Sequence, residues 1–210
     1  MKCVIFASMP TNALMRSYCD GAEIIIAADM GWMHARRLGV EPTLCVGDYD
    51  SAEMPQFANV ELLPREKDDT DTMYAARRAV KLGADEVILL GALGGRIDHT
   101  LANFAVLLYL ENHGVKAMAA DETTQITVLK KGKHVLNSQP DTYVSLFPVG
   151  KKALGITLDG FKYPLKKATI KASFPIGISN EFKAETGEIT VKHGALYCIL
   201  TKKEHPAYNM

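Results

Sequence analysis

From residue 3 to residue 120, short runs of consecutive apolar residues alternate with longer stretches of mixed polarity. Cys3-Val4-Ile5-Phe6-Ala7 reads as a buried strand, and Glu23-Ile24-Ile25-Ile26-Ala27-Ala28 as a second. Leu44 to Val46, Val60 to Leu63, Val87 to Leu90 and Val115 to Ala120 supply four more. Between them, helices are predicted from Met30-Gly31 to about Leu38, from Thr70 to Leu82, and from Asp98 to about Asn112, with Gly39 and Gly83 as stops. Strands that are apolar throughout, rather than alternating, are buried on both faces, and their regular exchange with helices predicts an α/β fold: a mostly parallel sheet with helices on both sides.

After Asp121 the pattern changes. Short β-prone runs at 125–129, 143–147, 155–158, 168–172, 188–191 and 195–200 are separated by Gly, Pro, Asn and Lys, and no segment keeps a helical period. This predicts a small antiparallel sandwich or barrel. The expected domains are therefore 1–125 and 126–210. Lys130-Lys131-Gly132-Lys133 reads as a solvated turn.

Charge sharpens that division. Residues 1–120 carry 11 Lys and Arg against 16 Asp and Glu, a balance of −5, whereas 121–210 carry 13 against 8, a balance of +5. All arginines lie in the acidic half, the better host for a cation. The overall formal charge of zero gives no field directed at nucleic acid or an anionic membrane. Cys3, Cys19, Cys45 and Cys198 have no Cys-x-x-Cys spacing, which argues against a zinc site or a disulfide framework. No run is long enough to span a membrane, the start of the chain has no signal-peptide pattern, and the expected compartment is the cytoplasm.

The residues suited to chemistry follow strands. Gly47-Asp48-Tyr49-Asp50-Ser51 comes directly after the third strand, and Lys67-Asp68-Asp69-Thr70-Asp71 opens a helix. Carboxylates two apart in extended chain point the same way, so Asp48 and Asp50 can reach one cation. Asp68 and Asp71, three apart at a helix entrance, can face the same cleft. Mg²⁺ takes such oxygen ligands and leaves the remaining positions to water and substrate phosphates. Taken singly, each knot is also what a turn or a helix cap requires; their joint presence in one βα unit points to metal binding. Gly91-Ala92-Leu93-Gly94-Gly95-Arg96-Ile97-Asp98-His99 joins the fifth strand to a helix. Gly94 and Gly95 let backbone N–H groups approach an anion, and Arg96 can fork onto a phosphate. The segment matches neither the Walker nor the dinucleotide-binding order. Asp98 is either the cap of that helix or a nucleotide contact. His99 and Asn103 suit supporting hydrogen bonds, and Asp29 suits a polar contact or a turn. In open parallel sheets ligands bind beyond the carboxyl ends of strands, where Asp29, Asp48, Asp50 and the glycine turn all fall.

These motifs, in this order and spacing, resemble the thiamine pyrophosphokinase (thiamine diphosphokinase) family in its bacterial form. Gly160-Phe161-Lys162-Tyr163-Pro164-Leu165 and Gly177-Ile178-Ser179-Asn180-Glu181 resemble its C-terminal motifs, so the likeness covers nearly the whole chain. The resemblance implies a catalytic α/β domain followed by a thiamine-binding β-sandwich, in a homodimer with active sites between subunits. It implies Mg²⁺ with ATP, and thiamine as acceptor, giving thiamine diphosphate and AMP. By motif, Asp48, Asp50 and Asp71 hold the metal and triphosphate, with Asp68 close by; Arg96, Asp98, Gly94, Gly95 and Asp29 lie on the nucleotide side. Tyr163 lies against a thiamine ring, and Ser179 and Asn180 bond to it. From the residues alone, Tyr163 reads as a half-buried strand aromatic and Ser179-Asn180 as a hairpin turn. The chain departs from the family pattern at Ala7-Ser8-Met9-Pro10, where many relatives carry glycines, and at Asp29-Met30-Gly31, where Asp-Gly-Gly is usual; Met30 and Trp32 there suit an apolar wall. The alternatives are a pyrophosphokinase acting on a hydroxymethyl pterin and a non-catalytic sensor of Mg-nucleotide.

Overall fold

The computed structural model describes residues 1–49, 54–57, 59–66 and 68–203, so Asp50, Ser51 and Lys67 lie outside the described residues. The chain divides into two units, Met1–Glu122 and Thr123–Met210. The boundary expected at residue 125 falls just inside the first strand of the second unit.

In the first unit β1 (Lys2–Phe6), β2 (Ile24–Ala28), β3 (Leu44–Gly47), β4 (Val60–Leu62), β5 (Glu86–Leu90) and β6 (Lys116–Ala120) pair in parallel. Their order is β4-β3-β2-β1-β5-β6. All five residues of β2 are buried, which is why its sequence shows no polar alternation. Val4, Phe6, Ile25, Ile88 and Leu90 form one face of the sheet and pack with Ala35 of α1 (Gly31–Arg37). Met15 and Cys19, from a 3₁₀ helix over Ala13–Cys19, join the same cluster. That helix escapes sequence reading because seven residues are too few to establish a period; Asn12 caps it by accepting from Leu14 N at 3.0 Å. The alternate residues Ile5, Ile26 and Leu89 are fully buried on the other face. There α2 (Asp71–Lys81) buries Ala75, Ala76 and Ala79, and α3 (Ile97–Asn112), packed beside it, buries Val106, Leu107 and Leu110.

The chain leaves β1 outward through β2, β3 and β4, then returns to the opposite side of β1 to lay down β5 and β6. Connections on the two sides therefore diverge at the carboxyl ends of β1 and β5, which opens a crevice there.

The second unit contains two antiparallel sheets. One has the order β7-β14-β9-β12, from β7 (Thr124–Leu129), β14 (Leu196–Lys202), β9 (Thr142–Pro148) and β12 (Asn180–Glu181). The other has β11 (Leu165–Lys171), β10 (Lys152–Asp159), β13 (Thr186–Val191) and β8 (Gly132–Asn137) in that order. Val144, Leu146, Leu196 and Cys198 of the first sheet share one core with Ala153, Ile156, Ile170, Ile189 and Val191 of the second, which makes the unit a sandwich. The lysine-rich stretch expected to be only a turn becomes strand at Gly132, and Lys133 pairs with Glu188 across β8 and β13 at 2.6 Å. Leu146 is 1% exposed in this core. Leu146→Ala is expected to cost about 2–5 kcal/mol, read as a lowered urea midpoint; a loss well under 1 kcal/mol would show that the two sheets do not pack through this residue.

Candidate active site

The crevice between β1 and β5 holds a cavity of about 220 Å³. Its walls include Ala7, Ser8 and Met9 after β1, Asp29 after β2, Thr72 of α2, and Gly91, Gly94, Arg96, His99 and Asn103. Met9 shapes the glycine turn. Its N–H donates to Gly91 O at 2.9 Å, and a Cβ on Gly91 would lie 2.3 Å from Met9 O. A Cβ on Gly95 would lie 2.4 Å from Met9 Sδ. Both glycines also have left-handed φ, 66° and 64°; Gly91 is thus excluded to other residues by backbone contact and by conformation, whereas the thioether opposite Gly95 can swing aside and its φ alone disfavours a side chain. The Ser8–Thr11 segment is fastened from α1 as well. The buried His34 ring donates from Nε2 to Ser8 O at 3.0 Å, and Thr11 Oγ1 donates to His34 O. Burial lowers the His34 pKa, so the ring is neutral and serves as a fixed strut.

The acidic residues approach from two directions. Asp29, after β2, has φ 50°, and its N–H donates to Val46 O of β3 at 2.8 Å. Asp48 follows β3 and is half-buried. Tyr49 comes next with φ 51°, a conformation that costs an aromatic residue about 1–2 kcal/mol. That turn sends the phenol inward: a Cβ on Gly47 would meet Asp29 Cα at 3.1 Å and Tyr49 Cζ at 3.4 Å. The Tyr49 hydroxyl is buried and has no hydrogen-bond partner among the described residues. Its pKa is raised, chiefly by burial, and also by the nearby Cys45 thiol and the charges of Asp29 and Asp71. Asp71 is the first residue of α2, where the helix N-terminus favours negative charge, and Thr70 caps that helix by accepting from Met73 N at 3.1 Å. One carboxylate oxygen of Asp29 and one of Asp71 are buried. Asp68 is exposed, while its neighbour Asp69 pairs with Arg77.

At the glycine turn Arg96, not Asp98, occupies the cap position of α3, and its side chain does not cap. Asp98 lies one residue into the helix, accepting from His99 N at 2.9 Å and from Arg96 through two bonds of 3.1 and 2.6 Å. That fork holds the Asp98 carboxyl below the usual carboxylate range. Asn103 is buried and donates to Ala92 O at 2.7 Å, pinning the turn to the helix. His99 lines the cavity.

In the second unit Tyr163 is 58% exposed in the loop before β11, so it is not the half-buried strand aromatic its sequence suggests. Asn180 is buried and in a strand, not in a hairpin turn. Its side chain accepts from Tyr163 N at 2.9 Å and donates to Tyr163 O at 2.8 Å, so it clamps the tyrosine's main chain. Ser179 is exposed with φ 54°, its N–H donating to Ser145 Oγ at 3.0 Å. Lys162 Nζ lies 5.6 Å from the centre of the Tyr163 ring and 3.0 Å from Glu181.

Among the described residues no three His, Cys, Asp or Glu side chains form a metal cage by themselves. The donors present suit magnesium all the same: they are hard carboxylate oxygens on two separate elements, and magnesium commonly takes its remaining ligands from water or substrate. Asp50, the remaining expected ligand, lies outside the described residues. Sequence reasoning missed Tyr49 and Met9. An aromatic between two aspartates was a readable signal for the first; the second depends on a contact across strands that no local pattern encodes. The four cysteines are buried free thiols, and burial pushes Cys3 and Cys198 up to about 12 and Cys45 to about 11, which leaves them unreactive.

Known proteins share this arrangement. Residues 15–119 match the family model described as the thiamin pyrophosphokinase catalytic domain, and residues 133–196 match the thiamin pyrophosphokinase vitamin B1 binding domain. The thiamine pyrophosphokinase of Bacillus subtilis is 28% identical over 205 residues, covering 93% of this chain and 96% of the relative. A crystal structure of thiamine pyrophosphokinase from the same organism superposes with a TM-score of 0.89 at 26% identity, covering 97% of this chain and 100% of that one. The thiamin pyrophosphokinase structure from Geobacillus thermodenitrificans gives 0.84 at 30% identity, covering 96% of this chain and 98% of that one. The class is thus a transferase built from a catalytic α/β unit and a β-sandwich. Within it, the chain belongs to the thiamin pyrophosphokinase family.

Tyr49 yields a pH test. Its folded pKa is raised, so the stability it contributes is present below the unfolded value of about 10 and is lost as pH rises toward the folded value. Tyr49→Phe, which removes the unbonded hydroxyl, is expected to stay within about 1 kcal/mol of wild type at pH 8. Above about pH 10 it should lose stability less steeply. Parallel urea-midpoint curves for the two proteins through that range would show that the phenol is not buried.

Proposed function

We propose that this chain transfers the pyrophosphoryl group of ATP to the hydroxyl of thiamine, giving thiamine diphosphate and AMP. The observation that carries this reading is the switch-point cavity, bounded by Asp29, the glycine turn and Arg96, in a chain whose two units match the two family domains. The N–H groups of the turn and the start of α3 receive the triphosphate. Arg96 exchanges Asp98 for phosphate oxygens and steadies the charge that develops toward AMP. Asp48, Asp50 and Asp71 would hold Mg²⁺, which when bound neutralises phosphate charge. Asp68, exposed three residues before Asp71, would serve the outer phosphates. Asp71 orients the thiamine hydroxyl and takes its proton. The hydroxyl oxygen then bonds to the β-phosphorus, and the bond from that phosphorus to the oxygen shared with the α-phosphate breaks, releasing AMP. On the sandwich, Tyr163 offers a ring face and Ser179 a hydroxyl to thiamine, and Asn180 fixes the Tyr163 main chain. The four free thiols suit the reducing cytoplasm. Among the described residues no helix is long and apolar enough to cross a membrane.

We extend the proposal to a homodimer. Phe147, Phe174, Ile176 and Ile178 of the sandwich are 39–65% exposed, a concentration of apolar surface that suits burial by a second copy. Sedimentation is expected to give a dimer for the wild type and a monomer for Phe147→Asp; a wild-type monomer at tens of micromolar would refute the assembly.

The central test is incubation with ATP, Mg²⁺ and thiamine, followed by analysis for AMP and thiamine diphosphate. Asp48→Ala, shown to be folded by circular dichroism, is expected to slow product formation about 100-fold or more. Near wild-type turnover by that variant would remove Asp48 from the site. Product from a hydroxymethyl pterin but none from thiamine would replace the acceptor.

A further inference from the structure

The switch-point cavity, about 220 Å³, is smaller than the range usual for small-molecule sites, about 300–1,000 Å³. Room for a polyphosphate chain therefore depends on which parts of its wall can move. The main chain on both sides is held. After β1, Ala7 N–H donates to Leu90 O at 2.8 Å, Met9 N–H to Gly91 O at 2.9 Å, and the His34 ring to Ser8 O at 3.0 Å. After β5, Asn103 donates to Ala92 O at 2.7 Å and Thr100 Oγ1 to Gly94 O at 3.0 Å. Movement is left to side chains. Arg96 already points outward to Asp98, its side chain 73% exposed. Met9 does not. It is half-buried and lines the cavity, and a Cβ on Gly95 would meet its Sδ at 2.4 Å and its methyl carbon at 3.1 Å.

A thioether is at best a weak acceptor and has no donor to offer an anion. Resting on Gly95, it occupies space beside a turn whose N–H groups are suited to phosphate oxygens. Its side chain is unbranched with three rotatable bonds, so it can leave without any shift of the fastened backbone. We propose that the Met9 side chain is a displaceable plug over the glycine turn, which a polyphosphate chain pushes aside in order to bind. While the thioether lies on Gly95 the turn is closed, and the apparent affinity for the anion falls in proportion to the fraction of molecules that are open. Met9 thus sets how tightly the phosphate-bearing substrate is held without taking part in the chemistry. The inference concerns the ATP side of the reaction proposed above and rests on that reading.

The test measures binding of inorganic triphosphate with Mg²⁺ by calorimetry, so that it does not depend on turnover. Met9→Ala keeps the N–H that bonds to Gly91 and the carbonyl that packs on it, and removes the plug. It is expected to bind triphosphate about tenfold more tightly, which corresponds to a turn open in about one wild-type molecule in ten. Met9→Leu, which refills the space, is expected to bind no better than wild type. With ATP and thiamine, Met9→Ala should lower KM for ATP by the same factor and leave kcat within about twofold. A side chain that only supported the turn would give the reverse, weaker binding on truncation. Triphosphate affinity of Met9→Ala equal to or below that of wild type, equal tightening by Met9→Leu, or no binding to any of the three proteins overturns the plug. Formation of AMP and thiamine diphosphate separates the two ideas. Product from the wild type with no gain in triphosphate affinity for Met9→Ala rejects the plug and keeps the reaction. Tighter triphosphate binding by Met9→Ala with no product from either protein keeps the plug and rejects the reaction.

Discussion

A parallel sheet that grows in both directions from one strand cannot close its carboxyl edge where the directions part. In this protein that place is between β1 and β5, and the rest of the first unit is arranged around it. Both faces of the sheet are covered, so its strands are apolar throughout and their polar residues are displaced to the ends. The edge at the switch point therefore receives Asp29 from β2, the residues after β3, the start of α2, and the glycine turn after β5. No single motif makes the site; the strand order assembles it from pieces far apart in sequence.

Local strain then directs the side chains. Asp29 and Tyr49 both sit in left-handed backbone at strand ends, and Ser179 does so in the sandwich. Such conformations persist only where surrounding packing over-determines them, and they concentrate at functional sites. At Tyr49 the turn buries the phenol against Gly47 and so brings it to the ends of β2 and β3. One oxygen each of Asp29 and Asp71 is buried with that phenol, in poorly hydrated surroundings where charge acts more strongly than in water. The Arg96–Asp98 fork works in the opposite sense. Both side chains are exposed, and each partner remains available for exchange.

How much of this could be read from the chain depended on whether the signal was local. Continuous apolar runs such as Ile24–Ala28 announced a sheet buried on both faces, and turn residues at short intervals announced the antiparallel unit. The acidic knots and the glycine turn stood out because each gathers one residue type at short spacing directly beside a strand end or a helix start. Asp98 was read as a helix cap or a nucleotide contact, and the cap position proved to belong to Arg96, since cap and first-turn residues are hard to separate from sequence alone. The bonds from Asn180 to Tyr163 depend on a pairing between β12 and a distant loop, which no spacing rule contains. The 3₁₀ helix at Ala13–Cys19 and the strand at Gly132 were missed for a similar reason: packing, not propensity, decides them.

Met9 carries a consequence for how this sequence can change. Its carbonyl occupies the space that a side chain at position 91 would need, and its movable thioether lies over position 95, although more than eighty residues separate them along the chain. Positions 9 and 91 thus form one steric unit through backbone, and position 95 joins it only through the Met9 side chain. A glycine in place of Met9 would gain room opposite the turn, while a branched residue there would crowd it. Evolutionary drift at the end of the first strand is therefore coupled to the fifth, and a change in one should be found accompanied by a change in the other.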